Sequence, residues 1–322
     1  MSVAASTYPR FVSFRVLPPG QRPHRDDWRL SVEQIRTRVA GLDVHRDSVT
    51  ACARIPDEAG NPTAHRRKFK TTTAGLGELA VWLADHEVTT AGMEATGVYW
   101  RTVYYALEGL VDELWLCNAH HVKNVPGRKT DMADAEWLAD VVAHGMVRPS
   151  LVPPPPIRAL RNLTRYRKAI VDMRTTEKLR LEKVLQDAGI KLSSVASRIM
   201  TVSGRAMIEA LIAGERDTKV LAEMSMRKLR NKKPELEEAL HGRFDEHHAL
   251  MARQILAHID HLDGQLQQIT AAITERVVPY RAAAELCLTI PGVGPVVADV
   301  IVAETGADMS RFPTLRHLAA RG

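Results

Sequence analysis

Cysteine is scarce: Cys52, Cys117 and Cys287 stand far apart in a chain of 322 residues. No Cys-x-x-Cys pair occurs, which argues against a zinc ribbon or a disulfide framework and favours a reducing, cytoplasmic compartment. Long apolar runs are also missing. No stretch approaches the roughly 20 residues needed to cross a bilayer, so no membrane partner is expected. The opening residues, "MSVAASTYPRFVSFRVLPPGQRPHRDDWRL", lack the apolar centre of a secretory signal. They carry Arg10, Arg15, Arg22, Arg25 and Arg29 among Pro18, Pro19 and Pro23. Residues 1–38 are therefore expected to be a poorly ordered basic extension. A start codon assigned too far upstream explains them better than a nucleic-acid-binding arm does.

What the chain has is charge of both signs with a basic excess. The composition is 45% hydrophobic and 25% charged, as in a globular protein of two or three domains. A formal net charge of +6 and a pI near 9.3 point toward a polyanionic partner.

From Val39 the pattern becomes ordered. "VAGLDVH" and "SVTACARI" read as a hairpin, with "AHRRKFK" as a third strand. "TTAGLGELAVWLADH" has helical spacing at Leu76, Leu79 and Leu83. "TTAGMEATG" reads as a strand ending in Glu94, "VYWRTVYYALEGL" as a helix and "DELWLCN" as a strand. The order implies a mixed sheet covered by helices over residues 39–152. Pro153 to Pro156 cannot continue a helix and mark the first boundary. Residues 157–280 then read as helical. Ile157 to Ala188 is strongly basic, and Arg161, Arg165 and Lys168 are candidate phosphate contacts. Ile255, Ile259, Leu262, Leu266, Ile269 and Ile273 form a heptad seam, suited to a long helical hairpin or to a coiled coil joining a homo-oligomer. Between them, Ile190 to Glu246 reads as shorter helices, with "AGERD" and "RNKKPE" as loops. Residues 281–322 change character again. In "LTIPGVGPVVA", Gly292, Val293 and Gly294 lie between two short apolar helices, as in a helix-hairpin-helix that offers free amides to a phosphate. A plain helical turn is the simpler reading of the same pattern.

Four carboxylates stand out. Asp43 lies inside an apolar strand, where an unpaired charge is costly. Glu94 ends another strand beside Ala95 and Gly97. In "GRKTDMADAEWLADVV", Asp131 and Asp134 sit three apart at the start of a helix. Capping and the helix dipole alone account for acids there. Positions i and i+3 also share one face, so the four carboxylates can meet in one cleft. Grouped carboxylates repel unless cations neutralise them, and oxygen-rich sites suit Mg²⁺ or Mn²⁺. Lys123, Arg128 and Lys129 are placed to hold a nucleic-acid backbone beside them. The histidine pairs His120-His121, His247-His248 and His258 with His261 are expected to serve surface or packing roles. Tyr99, Trp100, Tyr104 and Tyr105 are expected in the core.

"GLDVHRDSV", "GMEATGVYW" and "GRKTDMADA" resemble the three acidic motifs of the DEDD insertion-sequence transposases of the "one-ten" family. The likeness runs from about Val39 through "ALIAGERD" and "FDEHHALM" to "LTIPGVGPVVA". It implies an α/β ribonuclease H-like domain, similar to the resolvase RuvC, followed by an all-α coiled-coil region and a helix-hairpin-helix transposase domain. It implies that Asp43, Glu94, Asp131 and Asp134 are catalytic metal ligands for Mg²⁺ or Mn²⁺, that DNA is cleaved and transferred, and that a structured guide RNA takes part.

The family pattern continues with a glycine-leucine-proline stretch and a serine-glycine motif, whose serine acts as nucleophile. "RFPTLRHLAARG" reaches Gly322 with no serine after Ser310. On this reading the transposase domain is truncated and recombination is expected to be impaired. Two alternatives compete. One is a non-catalytic remnant that still binds DNA or RNA. The other is an actin-like ATPase or sugar kinase, whose first phosphate loop resembles "GLDVHRDSVTACARI". The second phosphate loop and adenosine motif of that class are not found.

Overall fold

The computed structural model describes residues 34–95, 97–123 and 134–312, together with Thr314, Arg316 and Leu318. The described chain divides into two compact units, one ending at Val152 and the other beginning at Pro153.

The first unit is built on a six-stranded sheet. Strands β1 (Val39–Val44), β2 (Ser48–Pro56) and β3 (Pro62–Lys70) form an antiparallel meander. Helix α1 (Thr73–Asp85) returns the chain to β4 (Thr90–Glu94), which pairs parallel to β1. Helix α2 (Trp100–Leu107) leads to β5 (Glu113–Cys117), parallel to β4. After the short helix α3 (Ala119–Lys123) and helix α4 (Asp134–Ala143), the two-residue strand β6 (Pro149–Ser150) closes the sheet, in the order β3-β2-β1-β4-β5-β6.

The two-residue period of a strand sorts the sheet into two covered faces. Ala40, Leu42, Ala91 and Met93 join Leu79, Leu83, Val103 and Leu107 in a core under α1 and α2. Val39, Trp115 and Cys117 join Trp137, Leu138 and Val142 in a second core under α4. Burial on both faces explains why β1 and β4 read as near-continuous apolar runs. Edge strand β3 carries exposed His65, Arg66, Arg67 and Lys68, charges that discourage pairing with another chain. Helix α1 is started by Thr72, whose hydroxyl accepts the Gly75 N–H at 3.3 Å.

Two glycines let α4 lie close to the sheet. A Cβ at Gly41 would overlap the Ala135 carbonyl oxygen and the Ala139 nitrogen, and a Cβ at Gly92 would run into the Val142 side chain. Arg54 of β2 pairs with Asp140 of α4, which is 1% exposed, and Arg66 of β3 pairs with Glu136. These links pin α4 across β1.

The second unit opens with α5 (Pro155–Asp187), a 33-residue helix. It begins inside the proline run, not after it, because proline is tolerated in a helix's first turn. Helices α6 (Leu192–Val195), α7 (Val202–Ile212) and α8 (Thr218–Glu223), a 3-10 turn (Arg227–Lys232) and α9 (Lys233–Ala239) follow. "RNKKPE" is thus not a loop. The 3-10 turn runs directly into α9, again with proline in the first turn.

Helix α10 (Glu246–Val277) runs antiparallel to α5: Asp187 meets His248, Arg174 meets Asp263 and Arg167 meets Thr270. Ile255, Ile259, Leu262, Leu266 and Ile273 are buried, and Leu262 and Leu266 pack on Ile170 of α5. The heptad seam therefore closes a hairpin within one chain. Of the two readings of the seam, a long helical hairpin or a coil between copies, the described residues form the hairpin. The unit ends with α11 (Arg281–Leu288) and α12 (Pro295–Thr305). Among the described residues, no helix is long and apolar enough to cross a membrane.

Of the expected N-terminal extension, residues 1–33 lie outside the described residues. The remainder is held to the sheet unit. Ile35 and Arg36 donate backbone N–H groups to the Ala143 carbonyl, and Arg36 pairs with Glu113 at 3.0 Å.

Candidate active site at the strand ends

Asp43 and Glu94 occupy corresponding positions on neighbouring parallel strands. The register pairs Gly41 with Gly92 and Leu42 with Met93, and each acid is the next residue. By the strand period both side chains lie on the face of Gly41 and Gly92, which is the α4 face. Both carboxylates are half-buried.

Helix α4 brings its first residue, Asp134, toward the same end. Asp140 meets Arg54, which pairs with Val39; Glu136 meets Arg66, whose partner Cys52 pairs with Gly41. Four residues of helix and two of strand each span about 6 Å. The helix thus runs back along β1, and its N-terminus arrives at the level of Asp43. The positive end of the helix dipole there favours anionic groups.

Two features tune the strand-end acids. His45 Nε2 lies 3.0 Å from Asp43 Oδ2 and fixes that carboxylate's orientation. Burial, with the negative charge of Glu94 as a second cause, pushes the Cys117 thiol up to about 12. Cys117 is the register partner of Glu94, so a neutral thiol, not a thiolate, lies under this part of the site.

A cavity of about 470 Å³ opens beside the strand ends, lined by Val44, His45, Arg46, Asp47, Ser48, Gly97 and Tyr99, with Arg46 and Asp47 3.7 Å apart. Gly97 has a φ of +59°, a conformation that side chains with a Cβ rarely adopt. Sequence reading passed over His45, although Asp43 and His45 sit at i and i+2, the spacing of one strand face. Tyr99 was expected in the core and is instead exposed, as is Tyr105. Helix α2 buries Val103 and Leu107, which leaves those two tyrosines on its outer side.

Asp131, Arg128 and Lys129 lie outside the described residues, as does the side chain of Lys123. Among the described residues no group of three His, Cys, Asp or Glu is arranged to hold a metal ion. The structure therefore places Asp43 and Glu94 side by side, with the start of α4 at about their level along β1, and it does not bring Asp43, Glu94 and Asp134 into one metal-holding group. The donors it does place are hard carboxylate oxygens at a helix N-terminus end of the sheet, chemistry that fits Mg²⁺ or Mn²⁺.

The other candidate contacts lie in the helical unit. Arg161 is largely buried and donates to the carbonyls of Ala303 and Glu304 at 3.1 and 2.8 Å. It closes the C-terminal end of α12, so it is not an open phosphate contact. Arg165 forks onto the Glu304 carboxylate at 2.8 and 3.0 Å, and Lys168 pairs with Asp172 at 2.7 Å while staying exposed. Gly292 has a φ of +85° and Gly294 caps α12. A Cβ at either would meet nothing within 4 Å, so this turn is open. Of the paired histidines, His248 is buried, completes the capping box of α10 with Asp245 and also meets Asp187, while His120, His247, His258 and His261 are exposed.

A family model described as a transposase of the DEDD type matches residues 40–190. A second, described as "Transposase IS116/IS110/IS902 family", matches residues 284–321. No curated protein matches the chain. Among solved structures, Thermus thermophilus RuvC is matched at 14% identity and a TM-score of 0.26, over 35% of this chain and all of that one. The same protein in complex with a Holliday junction substrate gives 14% identity and a TM-score of 0.27 over the same shares.

Proposed function

The chain belongs to the transposase family matched by those two models, and from that premise we propose that it performs metal-dependent cleavage and transfer of DNA strands at the ends of β1 and β4. The observation that carries this reading is the pairing of Asp43 and Glu94 on adjacent parallel strands, with the N-terminus of α4 brought to their level.

Asp43, Glu94, Asp131 and Asp134 are the proposed ligands of Mg²⁺ or Mn²⁺. When bound, such ions lower the pKa of an attacking hydroxyl and neutralise the charge that builds on the leaving oxygen. The chain's own residues do the positioning. His45 holds one Asp43 oxygen, leaving the other for a ligand. Arg54 and Asp140 fix α4, and so Asp134, against the sheet. Arg46 at the cavity, with Arg128 and Lys129, is proposed to hold the DNA backbone, which positions a strand without reading its sequence.

In the helical unit, Arg165, Lys168 and the turn Gly292-Val293-Gly294 are the proposed contacts to DNA or to a structured guide RNA, with the α11–α12 pair acting as a helix-hairpin-helix. The open space at both glycines supports that reading.

The test is strand cleavage. The 322-residue chain is incubated with supercoiled DNA carrying the element's ends and Mg²⁺, and nicked or joined products are resolved by electrophoresis. Product that needs the metal ion and disappears in Asp43→Asn and Glu94→Gln supports the proposal. Product that persists in both variants sinks it.

A further inference from the structure

The helical unit holds a cavity of about 760 Å³ between the end of α6, the start of α7 and the 3-10 turn Arg227–Lys232. Its lining carries four cations, Arg198, Arg227, Lys228 and Lys232, and no carboxylate. Several basic side chains elsewhere in the unit are matched with acids: Arg205 with Asp260 and Glu209, Arg174 with Asp263, Lys233 with Glu223. Unmatched cations that converge on a concave surface attract a polyanion and raise its local concentration.

The remaining wall mixes the hydroxyls of Ser197, Thr201 and Ser203 with exposed apolar surface. Val202 and Met226 line the cavity and are 74% and 55% exposed. The Met226 N–H donates to the buried Ser203 hydroxyl at 3.0 Å, tying the 3-10 turn to α7. Apolar surface beside cations, within one cleft, matches an unstacked base and its flanking phosphates. A second cavity of about 560 Å³ shares Ser197 and Arg198 with the first and adds Lys178 and Glu182. Arg198 therefore stands between two hollows, a path longer than one nucleotide. Burial first, and then the nearby Arg174 and Arg198, lower the pKa of Lys178, against the opposing charge of Asp263.

We propose that this cleft is a second nucleic-acid site, taking a single-stranded segment by its phosphates on Arg198, Arg227, Lys228 and Lys232 and by one unstacked base on Val202 and Met226. Single-stranded RNA, as in a folded RNA's loop, and single-stranded DNA, as in an opened duplex, offer the same chemistry. Regular duplex offers the phosphates without the free base. The cleft belongs to the second unit, and the proposal does not depend on the role of the strand-end carboxylates.

The experiment measures binding of the full chain to a labelled single-stranded RNA, the same sequence as single-stranded DNA, and a blunt DNA duplex across a salt series. One triple variant carries Arg227→Gly, Lys228→Ala and Lys232→Ala. Arg227 has a φ of +53°, which glycine adopts freely, so its removal does not endanger the turn. The control carries Arg253→Ala, Arg276→Ala and Arg281→Ala, with the same loss of charge from exposed positions. The cleft variant should lose at least about tenfold in single-strand affinity and flatten the salt slope by about 2, near 0.7 per lost phosphate contact. The control should change far less, and the melting shift with Mg²⁺ should be unaltered in both. Whichever single strand loses more identifies the source. Val202→Ala with Met226→Ala should weaken single strands more than duplex. Equal losses in the cleft and control variants, or a 4-thiouridine crosslink mapping outside residues 195–232, would overturn the proposal.

Discussion

Asp43 and Glu94 stand side by side at the ends of two parallel strands, each one residue past the paired Leu42 and Met93 and both on the face that α4 covers. Two carboxylates so placed repel unless a cation lies near. Mg²⁺ or Mn²⁺ should therefore raise the melting temperature relative to EDTA. Asp43→Ala or Glu94→Ala should remove that rise while leaving the EDTA value the same or higher. Identical melting curves with Mg²⁺ and EDTA in the parent chain would contradict a metal site.

Gly41 sets how closely α4 approaches β1. Gly41→Ala forces a Cβ into the backbone of Ala135 and Ala139 and should destabilise the unit by about 1–3 kcal/mol or more, the usual range for overpacking. Gly77→Ala is the counterpart: it lies in α1 with nothing within 4 Å of the added carbon. It should stabilise by roughly 0.5–1 kcal/mol. Urea titration of the two variants checks both signs.

Much of the sheet unit was legible because its signals are local. The short apolar runs of β1, β2 and β4 and the Leu76, Leu79 and Leu83 spacing of α1 are each written within a few residues. What escaped depends on partners distant in sequence. Arg161 looks like one more cation in a basic helix, and only the end of α12, some 142 residues on, makes it a structural clamp. The heptad seam is the same string of residues in a hairpin or in a dimer; α5 decides it by occupying the seam. Asp131 remains read from sequence alone. The cations of the second cleft are scattered over residues 198–232 and leave no periodic trace.

The Arg161 clamp makes its own prediction. Arg161→Ala leaves the Ala303 and Glu304 carbonyls without their donor and should cost about 1–3 kcal/mol. Its nucleic-acid salt slope should match the parent's. Lys168→Ala should do the reverse: little change in stability, since its pair with Asp172 is exposed, and a flatter slope. Interchanged outcomes would restore Arg161 as a phosphate contact and remove Lys168.

Cys117 links folding to alkaline pH. Its thiol is raised from near 9 to about 12 in the folded state, first by burial and then by Glu94. A folded-state pKa above the unfolded one means the folded chain holds a proton that the unfolded chain releases. This stabilisation is complete below pH 9 and declines as pH rises toward 12. Cys117→Ala should flatten the fall in unfolding free energy between about pH 9 and 10.5, the reachable part of that window. An unchanged pH profile would show that the thiol is not held neutral by the fold.

The central claim, that the ends of β1 and β4 and the start of α4 build one metal-dependent cleavage site, is tested most directly by locating the metal. Crystals of the chain soaked in Mn²⁺ should show anomalous density touching oxygens of Asp43, Glu94, Asp131 and Asp134. One ion is expected, or two about 4 Å apart. Manganese bound elsewhere, or any one of the four carboxylates more than about 10 Å from the other three, beyond the span of a two-ion site, would contradict it.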